Sequence, residues 1–266
     1  MRHVALTVRA DALEGVLDRL LPLLVQGVHE APAPGGAVEL AAYGPGPPLA
    51  ELEAAAGEAL LGAVEGEAPD DPAERRLRAL ATRPPMAGVV VRPSAAPAPG
   101  AGVLDVIVDA PGGAFGSGTH PTTEMCLELL MGLHAGGAFA DLGCGTGVLA
   151  ITAALRGWRP VLAIDHESLG IDAARDNARR NGVELELVLA DLLVLEPPPA
   201  PTIAANVPPA VHARLAARLP ATVDRVIVSG IADDALDEVV AGYAGLRAEQ
   251  TLAEGGWAAA LLVRDD

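Results

Sequence analysis

Three short stretches of this sequence hold residue types that do chemistry. The first is Asp141-Leu142-Gly143-Cys144-Gly145-Thr146-Gly147, between an apolar run and a helical pattern. Glycines there permit a tight turn and let backbone N–H groups at the helix start approach a ligand. A dinucleotide fingerprint sets its third glycine three positions beyond the second. Here Gly145 and Gly147 are two apart, which argues against NAD. Asp165 ends the following strand, about 20 residues on, where a carboxylate accepts hydrogen bonds from ribose hydroxyls. Asp191 follows the third strand, within reach of an adenine amino group. Each residue also has an ordinary reading: a turn that binds nothing, a helix cap at Asp165, a turn residue at Asp191. Together the glycine loop and Asp165 favour nucleoside binding.

The second stretch, Asn206-Val207-Pro208-Pro209, ends the fourth strand. A side-chain amide offers one acceptor and two donors, and the prolines stiffen the backbone around it. Such a group holds a substrate N–H while the nitrogen lone pair stays free; alternatively Asn206 caps the helix that begins at Pro209. The third stretch, GGAFGSGTHPTTEMCLELL from Gly112 to Leu130, is a glycine-rich loop running into a helix. Thr122 and Thr123 stand at that helix start, where hydroxyls and N–H groups face a carboxylate. His120 is a candidate general base or a structural contact. His212 lies on a helical pattern and is expected to be exposed.

These residues need elements to position them. HVALTV (3–8) reads as a strand, DALEGVLDRLLPLL as an amphipathic helix with Asp11 as N-cap, VQGVHE (25–30) as a second strand and AVELAAY as a third. LAELEAAAGEALLG reads as a helix and GAVEGEA as a last strand. The order βαββαβ is the ferredoxin-like split unit. DDPAERRLRALATR reads as a helix that PPM ends. VVVRP and VLDVIVDA read as a hairpin-like pair. From Gly137 onward strands and helices alternate, which implies a mostly parallel sheet covered on both faces, and LRAEQTLAE with WAAALLVR implies an antiparallel hairpin at one edge. The expected architecture is α/β: domain 1–68 ferredoxin-like, linker 69–83 helical, domain 84–266 a Rossmann-like, seven-stranded sheet.

Composition narrows the partners. The net charge is -17, all 18 basic residues are arginine, and aromatics make up only 2%. Phosphate backbones are gripped by cations and unstacked bases by aromatic faces, so direct nucleic-acid recognition is disfavoured and a basic partner favoured. Cys126 and Cys144 are too few for a disulfide framework, which fits a reducing, cytoplasmic setting. No signal peptide is expected after Met1, and charges, Gly and Pro break every apolar run short of a membrane span. A soluble monomer is expected, and no metal site.

The strand order, the DLGCGTG loop, Asp165 and Asn206 resemble a class I S-adenosylmethionine-dependent methyltransferase. FGSGTHPTTEMCLELL is similar to the FGTGTHPTT segment of the ribosomal protein L11 methyltransferases, the PrmA family. The resemblance extends over nearly the whole chain, since that family also pairs a small ferredoxin-like domain and a helical linker with a methyltransferase domain. It implies S-adenosylmethionine as cofactor, contacted by Thr122 or Thr123, Gly143, Asp165 and Asn206, with Asn206 also beside the acceptor nitrogen. It further implies that the N-terminal domain recognises a basic ribosomal protein. Gly145, Gly147 and Asp191 join the cofactor-binding set from the reading of the residues. Two features depart from the family: the DWxxxWK-like linker pattern is replaced by DPAERRLRALAT, and Val207-Pro208-Pro209 follows Asn206. Both fall on the substrate side. Competing readings are a methyltransferase for another protein or a small amine, a cofactor-binding module without turnover, and an NAD dehydrogenase.

Overall fold

The computed structural model describes residues 2–20, 23–24, 28–43, 46–67, 85–110 and 115–265. Contacts divide the chain into two compact units, Met1–Arg78 and Ala79–Asp266. The expected linker helix, 69–83, lies outside the described residues.

In the first unit β1 (Arg2–Arg9), α1 (Leu13–Leu20), β2 (His29–Ala33), β3 (Ala37–Tyr43), α2 (Leu49–Ala56) and β4 (Leu60–Glu67) follow the order βαββαβ. The sheet order is β2-β3-β1-β4, antiparallel throughout, as in a ferredoxin-like unit. Strand periodicity of two explains its core: alternate residues Val4, Leu6 and Val8 turn inward with Leu40, against Val16 and Leu20 of α1 and Leu52 of α2. Three local expectations change. Asp11 does not cap the helix; it sits in a 3-10 turn, Ala10–Ala12, and pairs with Arg9 at 3.2 Å. The second strand begins at His29 and includes Pro32, tolerated because β2 is an edge strand; residues 25–27 of the expected strand lie outside the described residues. The second helix stops at Ala56, because Gly57 takes φ 61° and the chain turns into β4.

The second unit opens with β5 (Val89–Arg92) and β6 (Leu104–Ile107). These were expected as a hairpin, but they pair in parallel, Val89 with Leu104 and Arg92 with Ile107. The Pro- and Gly-rich connection from 93 to 103 carries the chain back to the start of the sheet instead of reversing it. Arg92 fastens that connection, forking onto both Asp105 carboxylate oxygens at 2.7 Å and donating to the Ala96 carbonyl at 2.6 Å.

Then come α3 (Pro121–Gly132), β7 (Phe139–Leu142), α4 (Val148–Arg156), β8 (Val161–Asp165), α5 (Ser168–Arg180), β9 (Glu186–Leu189), β10 (Thr202–Asn206), α6 (Pro209–Ala216), β11 (Arg225–Ala232), α7 (Leu236–Gly242), β12 (Leu246–Glu254) and β13 (Trp257–Arg264). The seven-stranded order is β12-β13-β11-β10-β7-β8-β9; β7 to β11 are parallel, and β13 runs antiparallel to both its neighbours. All four residues of β7 are buried, as a strand covered on both faces requires. Phe139, Ala163, Ala204 and Ile227 pack with α3, α4 and α5 on one face; Leu142, Ile203, Val226 and Val228 pack with α6 and α7 on the other. The chain runs outward from β7 through β8 to β9, then returns to β10 on the other side of β7. Such a reversal opens a crevice at the carboxyl ends of the strands. Among the described residues no helix is long and apolar enough to cross a membrane.

Candidate functional site

At that crevice lies a cleft of 490 Å³. Gly143 and Gly145 follow β7, Asp165 ends β8, Asp191 follows β9 and Asn206 ends β10, and all five line it. A larger cavity, 600 Å³, lies at the opposite ends of β8 and β9 beside Arg159, Arg175 and Arg179, away from these residues. Strand topology, not size, selects the smaller one.

The glycine loop is held by backbone bonds. Gly145 takes φ 49°, and a Cβ there would stand 2.4 Å from the Phe115 carbonyl oxygen. No other residue fits so close to a backbone atom. Thr146 ties the two loops together: its N–H donates to Phe115 O at 2.9 Å and its Oγ1 to Gly116 O at 2.7 Å. Asp165 completes the frame, with Oδ2 accepting from Gly145 N–H at 2.8 Å and Oδ1 from Glu167 N–H at 2.9 Å. Behind the loop the buried Asp141 accepts from Ala150 N–H at 3.0 Å. Burial first, opposed by that hydrogen bond, and then repulsion from Asp165 push its pKa up to about 7. Gly147 does not line the cleft: it sits at φ 80° where a Cβ would meet the Ala174 methyl at 2.9 Å, so it serves the packing of α4 on α5. Asp191 is exposed and makes an Asx turn, Oδ1 accepting from Leu193 N–H at 2.8 Å.

The other side of the cleft is built by the end of β10, and behind Asn206 lies the start of α3, whose Thr122 and Thr123 do not themselves line the cleft. Pro121 occupies the first helical turn, and His120 is the N-cap with φ -83° and ψ 138°. Thr122 and Thr123 are each 1% exposed. Asn206 Nδ2 donates to Thr122 Oγ1 at 3.2 Å, while Asn206 Oδ1 and Thr123 Oγ1 are buried with no hydrogen-bond partner. Buried polar atoms without partners are rare, and these two belong to neighbouring segments. The turn after Asn206 is braced from below: Val207 N–H donates to Ser229 O at 3.0 Å, and a Cβ on Gly230 would press on the Val207 backbone at 2.6 Å.

His212, expected to be exposed, is 1% exposed. Its Nε2–H donates to Ser229 O and its Nδ1 accepts from the Tyr243 hydroxyl, both at 2.9 Å. Burial, partly opposed by the bond to Ser229, pushes its pKa down to about 4. Two well-satisfied nitrogens and nearly complete burial make it a brace for α6, which a helical pattern alone does not reveal.

The pattern also missed the rings around His120. Phe115 is 52% exposed at the cleft with its centroid 5.5 Å from the imidazole, and Trp257 stands edge-on at 5.2 Å. The chain has only two Phe and two Trp, so one Phe in the glycine-rich loop and one Trp at the start of the last strand were the available signal. Among the described residues no cluster of His, Cys, Asp and Glu could hold a metal ion.

Residues 86–265, nearly all of the second unit, match the family model described as ribosomal protein L11 methyltransferase (PrmA). The chain belongs to that family. A ribosomal protein L11 methyltransferase from Ectopseudomonas mendocina is 39% identical over 169 residues, covering 61% of this chain and 57% of the relative. One from Heliobacterium modesticaldum is 41% identical over 157 residues, 56% of this chain and 50% of the relative. The match thus spans little more than half the length of these PrmA relatives. A solved ribosomal protein L11 methylase from Lactobacillus delbrueckii subsp. bulgaricus aligns with a TM-score of 0.61 and 26% identity, over 67% of this chain and 96% of that one.

Proposed function

We propose that this chain is an S-adenosylmethionine-dependent protein N-methyltransferase that methylates ribosomal protein L11 on amino groups, a lysine side chain, the N-terminus or both. The observation that carries the reading is the buried, unpartnered Oδ1 of Asn206 at a cleft framed by a glycine loop and Asp165. Family membership supports the choice of acceptor.

The residues fit that cofactor. Each Asp165 oxygen keeps a lone pair beyond its backbone N–H, so the carboxylate still accepts from ribose hydroxyls. Asp191 is assigned to the adenine amino group. Gly143 and Gly145 allow close backbone approach, while Gly147 contributes through helix packing. Thr122 and Thr123 face the amino-acid carboxylate at the start of α3, and Thr123 Oγ1 has no other partner. Among the described residues three carboxylates (Asp165, Glu167, Asp191) and no arginine line the cleft, which suits hydroxyls, an ammonium and a sulfonium and opposes a pyrophosphate.

When bound, the cofactor supplies an electrophilic methyl group. The protein supplies alignment, with nitrogen and methyl about 3–3.5 Å apart. Asn206 Oδ1 accepts an N–H of the amine and leaves its lone pair free. A lysine amine of pKa about 10.4 must first lose a proton, about 4.6 kcal/mol at pH 7; burial in the cleft disfavours its charge and offsets part of that. No single general base is required. We assign substrate recognition to the ferredoxin-like domain, 1–68, joined through 69–83 to the catalytic domain, 84–266. Both cysteines are free and buried, which accords with a cytoplasmic enzyme.

Incubating the full chain with methyl-labelled S-adenosylmethionine and ribosomes tests the reading. Label in L11 is expected; label confined to RNA would overturn it.

A further inference from the structure

His120 has no part in the mechanism above, yet it is held by four groups. Its backbone conformation follows from sequence: a residue before proline is kept out of the helical region, and the extended geometry that remains is the one an N-cap needs. His120-Pro121-Thr122 therefore delivers the imidazole Nδ1 over the start of α3, where it receives the Thr122 backbone N–H at 3.4 Å and stands 2.8 Å from Thr122 Oγ1. Phe115 and Trp257 flank the ring.

These contacts favour one arrangement of the protons. A backbone N–H only donates, so the Thr122 N–H favours Nδ1 as the acceptor, shared with the Thr122 hydroxyl, and Nε2 as the nitrogen that carries the ring's proton. The Thr122 hydroxyl then gives its proton to Nδ1 and turns a lone pair outward. Asn206 Nδ2 donates to that lone pair at 3.2 Å, and among the described residues its amide carries no other hydrogen bond. One direction of donation therefore runs from Asn206 through Thr122 to His120, and the atom it leaves over is Oδ1.

We infer that His120 is a positioning residue: through the Thr122 hydroxyl, its Nε2–H tautomer sets which end of the Asn206 amide meets the acceptor amine. A proton on Nδ1 would reverse the chain. The imidazole would donate to Thr122 Oγ1, the hydroxyl would donate to Asn206 Oδ1, and the amide would present Nδ2–H. A donor facing an amine captures the lone pair that must attack the methyl group. This inference rests on the reading of Asn206 given above.

Nitrogen-15 NMR of the imidazole in the full-length protein, without cofactor, reads the tautomer directly; Nδ1 unprotonated and hydrogen-bonded is expected, with its resonance moved by Thr122→Val. Kinetics read the consequence. His120→Ala should lower kcat about 10- to 100-fold, the scale of a slightly misplaced reactant, with KM for L11 and cofactor affinity within about threefold of the parent. His120→Asn, whose Oδ1 replaces Nδ1 as an acceptor, should restore kcat to within about threefold. A protonated Nδ1, an unchanged kcat in a folded His120→Ala, or a His120→Asn as slow as His120→Ala would each overturn the inference. Should His120→Ala not fold, the imidazole spectrum of the parent still decides. Asn206→Ala separates the two claims: if it transfers methyl groups at the parental rate, the reading of Asn206 fails, whatever the tautomer.

Discussion

The two sides of the cleft differ in how their polar atoms are satisfied. On the β7–β8 side both Asp165 oxygens accept backbone N–H groups and Thr146 bonds twice to the facing loop, so the cradle is complete by itself. On the β10–α3 side Asn206 Oδ1 and Thr123 Oγ1 are buried without partners. A self-satisfied frame makes a rigid receptor. Buried polar atoms left unsatisfied beside a cleft are groups that an incoming molecule can complete. We read the first side as the cradle of the nucleoside and the second as the side that orients the reacting groups, with Thr122 and Thr123 at the cofactor's carboxylate and Asn206 at the acceptor amine.

The largest expected effect breaks the reactive side alone. Asn206→Ala should lower kcat at least about 100-fold, the range seen when one oriented hydrogen-bonding group is removed from an active site, while cofactor affinity by calorimetry changes little. Equal losses in both would mean the two sides are not separate. Next comes the frame: Gly145→Ala forces a methyl group against the Phe115 carbonyl at a left-handed φ, and should cost about 2 kcal/mol of stability or more in chemical denaturation together with weakened cofactor binding. Asp165→Asn keeps an oxygen for one backbone N–H but loses charge-assisted acceptance, so cofactor affinity should fall roughly 10-fold or more with the fold retained by circular dichroism.

The smallest effect concerns the brace under Asn206. His212 titrates at about 4 when folded, below its ordinary 6.5. The unfolded chain therefore binds the proton more readily between those values, and the stability from the neutral buried ring is full above pH 6.5 and lost as pH falls toward 4. Asp141, raised to about 7 chiefly by burial, works in the opposite direction over an overlapping range. The His212 contribution is isolated by difference: the melting temperature of His212→Gln should be lower than the parent's at pH 7, and the gap should narrow by pH 5. A gap independent of pH would remove the proton linkage.

Much of this was legible in the sequence where local rules and tertiary demand agree. Alternating apolar residues set β1, and glycine and proline marked the ends of α3, α4 and α6, so Gly143, Gly145, Asp165, Asp191 and Asn206 fell at strand ends before any contact was known. Legibility failed where a distant partner decides. The parallel pairing of β5 with β6 depends on a Pro-rich connection that doubles back; the burial of His212 depends on Tyr243 and Ser229; and Gly147 serves Ala174 on another helix. None of those partners leaves a periodic mark near the residue it controls.

Mass spectrometry of L11 after incubation with S-adenosylmethionine and either the parent chain or Asn206→Ala tests the central claim most directly. The account predicts whole-methyl increments on L11 amino groups with the parent, and unmodified L11 with the variant although it still binds cofactor. Unmodified L11 with the parent, or equal methylation by the two proteins, would contradict it.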